Sequence, residues 1–223
     1  MLTVVTAVAG LAIGFTNSKL SDRIAAKELE TRQAAITSVF PEGVSIDEIK
    51  GTGGLPEKYW KASTGDVLTG FAFEVAGGGY AGDIKFMVGV APGGDILGIT
   101  VLEHNETPGL GSRVSEVAST KYIWYPVGGD DKAKPWFTEQ FEGLSSLKPI
   151  GVDKTAGEWH KLDQQARASL KNKNTVTVIT GSTITTVAFT RAIEQKVRGY
   201  LDVIGGGRQD APGNAGDGGS GKE

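Results

Sequence analysis

The chain opens on a long uncharged stretch. Residues 1–18 carry no charged side chain, the run MLTVVTAVAGLAIGF is apolar and rich in small residues, and Lys19 is the first charge. A helix of that length nearly spans a hydrocarbon core, which takes about 20 residues. The expectation is a transmembrane anchor over 1–18. Ser21–Phe40 predicts a helical stalk (19–40), in which Ile24, Lys27 and Thr31 share one side and Ala25, Leu29, Ala34 and Ala35 add small or apolar contacts. Pro41-Glu42-Gly43 is a breaker cluster that ends it. A body over 41–207 follows. Phe71, Phe73 and Val75 alternate with Ala72 and Glu74, and Ile84, Phe86, Val88 and Val90 alternate with Lys85, Met87 and Gly89. Period-2 alternation is the mark of a strand. Ala91-Pro92-Gly93-Gly94-Asp95 is a turn, and Ile96–Leu102 is the next apolar run. Three strands in succession predict an antiparallel meander.

Between the first two strands lies Gly77-Gly78-Gly79-Tyr80-Ala81-Gly82. It reads either as a hairpin connection or as a loop that lets something large approach the backbone. Further on, Asn174–Thr186 reads NTVTVITGSTITT. Val176 and Val178 alternate with Thr175 and Thr177, a strand, and Thr180-Gly181-Ser182-Thr183 turns out of it. Val187, Phe189, Ile193, Val197, Tyr200 and Ile204 then recur at helical spacing, so a helix starts near Thr183–Thr186 and ends at Gly205-Gly206-Gly207. The Gly- and Asp-rich tail 208–223 is expected to be disordered. The fold class is α+β: an antiparallel sheet with flanking helices, preceded by a single N-terminal transmembrane helix.

Composition narrows the chemistry. The 33 glycines favour a loop-rich α+β domain over a helical bundle. A net charge of -3 shows no basic excess for nucleic acid. With no Cys and 2 His, thiolate catalysis, disulfides, ordinary iron–sulfur ligation and most zinc sites fall away. Lys19, Arg23 and Lys27 behind the anchor weakly favour a cytoplasmic body under the positive-inside rule.

Two segments carry candidate chemistry. Glu103-His104-Asn105-Glu106-Thr107-Pro108-Gly109-Leu110-Gly111-Ser112-Arg113 ends a strand with a histidine, two carboxylates and an arginine. Glu103, His104 and Glu106 lack a third good metal ligand. Pro108-Gly109 suits a type II turn. Thr107 and the backbone around Gly109 and Gly111 suit hydrogen bonds to a planar polar ring, and Arg113 suits a phosphate or a carboxylate. The second segment is the Thr180–Thr183 turn. Hydroxyl residues at a helix start are either caps or part of a phosphate cradle formed with the free N–H groups and the helix dipole. The aromatics Tyr122, Trp124, Tyr125, Trp136, Phe137 and Phe141 suit ring stacking, a partner surface or, as the default, core. Trp159 and His160 stand in a loop-like segment.

The turn resembles the flavinylation motif of the RnfG and NqrC family of FMN-binding domains, roughly Asp-x-x-Ser/Thr-Gly-Ala-Thr, whose last Thr is esterified to the FMN phosphate. Thr180-Gly181-Ser182-Thr183 matches its final four positions, with Thr177 standing at the Asp and Ser182 at the Ala. Thr185 matches a further hydroxyl two places on. The uncharged N-terminal helix, AAKELETRQAAITSVFPEG, GGGYAGDIKFMVGV, LEHNETPGLGSRV and WFTEQFEG resemble the same family in the same order.

The resemblance implies covalent FMN on Thr183. Thr180, Gly181, Ser182 and Thr185 would stand about the phosphate, and Glu106, Thr107, Gly109 and Leu110 along the ring or ribityl chain. Tyr80 would pack on the cofactor, and Arg113 would be a phosphate partner or a surface ion pair. It also implies an electron relay without independent catalysis in an Rnf-type complex that couples ferredoxin:NAD⁺ oxidoreduction to Na⁺ or H⁺ movement. The partners would be integral membrane and redox subunits, a flavin transferase would act in maturation, and the body would lie on the periplasmic side of a bacterial cell membrane. The alternatives are the FMN subunit of a Na⁺-translocating NADH:quinone reductase-type complex, or a membrane-tethered binding domain without flavin.

Overall fold

The computed structural model describes residues 2–117 and 134–206. One unbroken helix, α1 (Leu2–Ser38), runs through both the expected anchor and the expected stalk. Large apolar side chains on its first half, among them Val4, Val5, Leu11, Ile13 and Phe15, are exposed. No helix among the described residues is long and apolar enough to cross a membrane.

Five strands follow: β1 (Ser45–Lys50), β2 (Lys58–Thr64), β3 (Val67–Gly78), β4 (Asp83–Val90) and β5 (Ile96–His104). They form one sheet in chain order, each pair antiparallel. The expected meander is therefore its last three strands. β1 and β2 escape the alternation rule because they are polar: SIDEIK and KYWKAST carry Asp47, Glu48, Lys50, Lys58 and Lys61. Charge of this kind keeps a sheet edge from pairing with other chains. Gly77 and Gly78 belong to β3, paired with Ile84 and Asp83, so the connection is shorter than the glycine run suggested.

Both faces of the sheet are covered, each by one of the two alternating side-chain sets. Phe71, Phe73, Val75, Ile84, Phe86 and Val88 face the main core, shared with the C-terminal helices. Trp60, Ala62, Ala72 and Met87 face a smaller core closed by Ala35, Ile36, Val39 and Phe40 at the end of α1. Gly89 and Gly98 let that helix end sit directly on the sheet, since a Cβ at either would press on Val39. Arg32 adds an ion pair from α1 to Glu74 on β3 at 3.1 Å.

Beyond β5 come a 3-10 turn (Gly111–Ser115), α2 (Trp136–Glu139), β6 (Gly151–Asp153), a second 3-10 turn (Trp159–Lys161), α3 (Gln164–Asn172) and β7 (Thr175–Thr177). Trp136, Phe137 and Phe141 are buried core. Tyr122, Trp124 and Tyr125, like the tail 208–223, lie outside the described residues. The strand expected at Thr175–Val178 ends one residue sooner and pairs parallel with β6, a long-range partner that local pattern does not announce. The short, polar α3 has no apolar periodicity to announce it either. Asp163 caps it, accepting the Ala166 N–H at 2.7 Å. Replacing Asp163 with Ala removes a cap and is expected to cost about 1 kcal/mol, read from the urea midpoint. An unchanged midpoint would refute the cap's contribution.

The C-terminal helix starts where expected. α4 (Thr183–Ala192) passes through a π-helical turn (Ile193–Val197) into α5 (Arg198–Gly206). Across that turn Lys196 Nζ donates to the Ala76 carbonyl at 2.7 Å, and the Glu194 carboxylate accepts the Ile150 N–H. These bonds tie the helix to the end of β3 and to the approach to β6.

Candidate functional site

Two loops and one helix start converge on a cleft of about 450 Å³, lined by Tyr80, Glu106, Thr107, Leu110, Gly111, Gly181, Ser182, Thr183 and Ile184. The β3–β4 connection supplies Tyr80, the exit from β5 supplies the second group, and the β7–α4 turn supplies the last four.

The turn is built by local rules. Gly181 has φ +80, the left-handed region that only glycine enters without strain. A Cβ there would also press on Leu110 across the cleft. Ser182 caps α4 in position, but its side chain makes no capping bond to the helix backbone. Instead Thr186 reaches back, its Oγ1 accepting the Ile179 N–H at 3.1 Å and donating to the Ser182 carbonyl at 3.3 Å. The N–H groups of Thr183, Ile184 and Thr185 thus have no backbone acceptor among the described residues. A helix start of this kind favours an anion. Thr183 is half-buried, and its hydroxyl has no hydrogen-bond partner among the described residues.

On the facing side, Thr107–Leu110 closes a turn. The Leu110 N–H donates to the Thr107 carbonyl at 3.1 Å, and Gly109 has φ +75, as a Pro-Gly type II turn requires. The Gly109 N–H is used by Ser112 Oγ at 3.0 Å. Glu106 is 5% exposed and joins all three parts of the cleft. Its Oε1 accepts the N–H groups of Tyr80 at 2.6 Å and Ala81 at 3.2 Å, and its Oε2 accepts the Thr185 hydroxyl at 2.8 Å. Ser182 Oγ in turn donates to Thr185 Oγ1 at 2.7 Å.

The expected residues divide accordingly. Tyr80, Glu106, Thr107, Leu110, Gly181, Ser182 and Thr183 share the cleft; Gly109 and Thr180 belong to the adjoining turns and Thr185 to the first turn of α4. Arg113 is not among the lining residues. Its guanidinium forks onto the buried Glu158 carboxylate and donates from Nε to Glu116 at 2.7 Å, lying 5.4 Å over the Trp136 ring. Glu158 also accepts Lys161 Nζ at 2.8 Å and the Thr180 N–H at 3.3 Å, so this pair braces the turn from outside the cleft. The Arg113 hydrogen bonds hold the Glu158 carboxyl far below the usual carboxylate range, against the opposing effect of burial. Thr177, at the motif's Asp position, is buried away from the cleft, its N–H and hydroxyl donating to Gln140 Oε1 at 2.7 and 3.2 Å. Glu103 and Glu106 do not converge on a metal, since Glu103 pairs with Lys85 at 2.7 Å.

Ile184 and Gly111 line the cleft although neither is an expected ligand contact. Their position beside Thr183 and Leu110 is the signal the sequence offers for them. Glu158 carries none, being an isolated acidic residue far along the chain from Arg113.

Comparison with known proteins identifies the family. The family model described as FMN-binding domain matches residues 79–198, which takes in every part of the cleft. The G subunit of the Na⁺-translocating ferredoxin:NAD⁺ oxidoreductase complex of Acetobacterium woodii is 27% identical over 218 residues, covering 91% of this chain and 90% of that protein. The G subunit of the ion-translocating oxidoreductase complex of Haemophilus influenzae is 35% identical over 161 residues, 70% of each chain. Among solved structures, the C subunit of the Na⁺-translocating NADH-quinone reductase from Parabacteroides distasonis superposes with a TM-score of 0.51 at 17% identity, over 82% of this chain and 96% of that one, a likeness of fold. The chain belongs to the FMN-binding domain family, among the G subunits of ion-translocating oxidoreductase complexes.

Proposed function

We propose that this chain carries FMN in phosphodiester linkage to Thr183 Oγ and relays electrons within an ion-translocating ferredoxin:NAD⁺ oxidoreductase-type membrane complex moving Na⁺ or H⁺. The observation that carries this reading is the Thr183 hydroxyl. At the first residue of α4 and lining the cleft, it has no hydrogen-bond partner among the described residues, and the N–H groups beside it have no backbone acceptor among them.

The residues present fit the cofactor. The helix start receives the phosphate through the N–H groups of Ile184 and Thr185. Gly181 lets the backbone approach closely, and Thr180 flanks the turn. Leu110, Tyr80 and Ile184 form an apolar rim suited to the ring, Thr107 lines the same cleft next to the Gly109 turn, and Glu106 holds the walls together. Arg113 acts from outside, bracing the turn through Glu158. Bound flavin supplies one- and two-electron chemistry; the chain's own part is to hold it and to shield one side from water. No acid–base pair is required of a relay.

The uncharged N-terminal stretch, residues 1–18, is read as the membrane-seated segment that joins the complex, with 19–40 as stalk. Residues 41–207 form the FMN-binding domain, on the periplasmic or extracytoplasmic side of the bacterial membrane. The partners are the integral membrane and redox subunits, and a flavin transferase acts in maturation.

Attachment forms one Thr183 Oγ–P bond as the phosphoanhydride P–O bond of an activated flavin nucleotide breaks; the hydroxyl proton and the nucleotide leaving group depart, and the chain gains the mass of FMN less one water. Intact-mass measurement on chain co-expressed with an active flavin transferase is expected to show that increment, mapped to the peptide holding Thr183 and absent from Thr183→Ala. An unmodified wild-type chain, under transferase shown active on another acceptor, would sink the assignment.

A further inference from the structure

Resting on the reading above, we propose that Glu106 is a specificity-determining residue that makes the cleft select a singly charged phosphodiester over a doubly charged phosphomonoester. The argument is one of counting protons. A carboxylate accepts and does not donate, and a hydroxyl has one proton. Oε1 of Glu106 is filled by two backbone N–H groups, and Oε2 takes the single proton of Thr185. The 2.7 Å contact between Ser182 and Thr185 must then use the proton of Ser182. Both hydroxyls are thereby turned inward, and neither has a proton left for a phosphate. The turn looks like a hydroxyl cradle in sequence, yet what it offers an anion is backbone N–H.

Charge points the same way. Among the described residues that line the cleft none is Lys, Arg or His, and one is Glu106. A Cβ on Gly79 or Gly111 would overlap the Glu106 carboxylate oxygens, so backbone packs it closely on two sides and leaves little room for screening water there. A free phosphomonoester carries about -1.5 to -2 at neutral pH, whereas its diester carries a single charge. The fixed carboxylate therefore opposes free FMN more than FMN esterified on Thr183. The same cleft that holds the attached cofactor discriminates against the loose one.

The probes are FMN and its monomethyl phosphate ester. They are titrated at pH 8 by flavin fluorescence into the full-length Thr183→Ala chain, where the missing side chain leaves room for the methyl group. The ester is expected to bind roughly tenfold more tightly than FMN, the effect of one extra charge near another in a partly buried site. Adding Glu106→Gln keeps the shape but removes the charge. With its amide oxygen towards Tyr80 and Ala81, its NH₂ faces Thr185 and reverses the chain, freeing the Ser182 proton for the cleft. In that double variant the preference is expected to fall below about twofold through tighter FMN binding. Equal binding of the two flavins to Thr183→Ala overturns the proposal, even if Glu106→Gln fails to fold. So does a preference that survives Glu106→Gln in a folded chain. If neither flavin binds while the transferase still modifies wild-type Thr183, the selectivity is refuted and the attachment stands. If neither binding nor modification occurs, both fall.

Discussion

Replacing Phe189 with Ala is expected to destabilise the domain by about 3–5 kcal/mol, the cost of removing a large buried ring and leaving a cavity. Phe189 is fully buried on α4. Its ring stacks on Phe86 of β4 with centroids 3.9 Å apart and meets Phe137 and Phe141 at 5.3 and 5.4 Å. It thus joins the sheet, α2 and the helix that begins with Thr183. Four rings closing on one another leave no small side chain that can move in, so the cavity persists. Against a total of about 5–15 kcal/mol for a typical domain, this is a large share. The expected signs are a lower urea midpoint and a melting temperature reduced by on the order of 10 °C. A loss under about 1.5 kcal/mol would mean that the aromatic cluster does not secure α4 to the sheet.

The second large effect is at Arg113. Arg113→Met leaves the buried Glu158 carboxylate with the exposed Lys161, the Thr180 N–H and the His160 ring at 3.8 Å, and is expected to cost about 3 kcal/mol near neutral pH. The sign of the pH dependence follows from the carboxyl itself. Its folded value lies far below its ordinary 4.5, chiefly through the Arg113 hydrogen bonds. A depressed carboxyl binds fewer protons folded than unfolded. Its contribution is whole above the ordinary value and is lost as the pH falls below it. The difference between wild type and Arg113→Met should therefore be full at pH 7 and shrink steadily below about 4.5. Urea unfolding of both chains at pH 7, 5 and 3.5 checks it. A difference independent of pH would show that Arg113 acts through packing on Trp136 rather than through Glu158. Because Glu158 also accepts the Thr180 N–H, the variant should loosen the turn that presents Thr183, seen as faster amide exchange at Thr180 and Gly181.

The groove and the brace explain each other. The cleft has no cation among its described lining residues, and Arg113, the nearest candidate by sequence, is committed to Glu158. The positive end of the site is therefore the start of α4. Its position depends on Phe189 beneath, Thr186 behind and Glu158 outside.

Elements with strong local signals were legible from the chain alone. The uncharged and charged halves of α1, the strands β3 to β5 and the helix from Thr183 onward all follow from periodicity and breakers over a few residues. The Pro108-Gly109 turn and the Gly181 turn follow from the conformations those residues permit. The two segments of the cleft were legible because each carries unusual turn chemistry. Tertiary structure alone decided the remainder, because those features depend on partners far away in the chain. β6 and β7 are three residues each and acquire meaning only by pairing. Strand β1 has no buried residue and β2 buries only Trp60 and Ala62 among charged and polar neighbours, so alternation was faint. Arg113 and Glu158 are 45 residues apart, and Thr185 and Glu106 are 79 apart. No local pattern distinguishes an arginine bound for a phosphate from one bound for a buried glutamate. Nor can a hydroxyl's type say which way its proton points; that is set by the acceptor the fold brings beside it, and here that acceptor is Glu106.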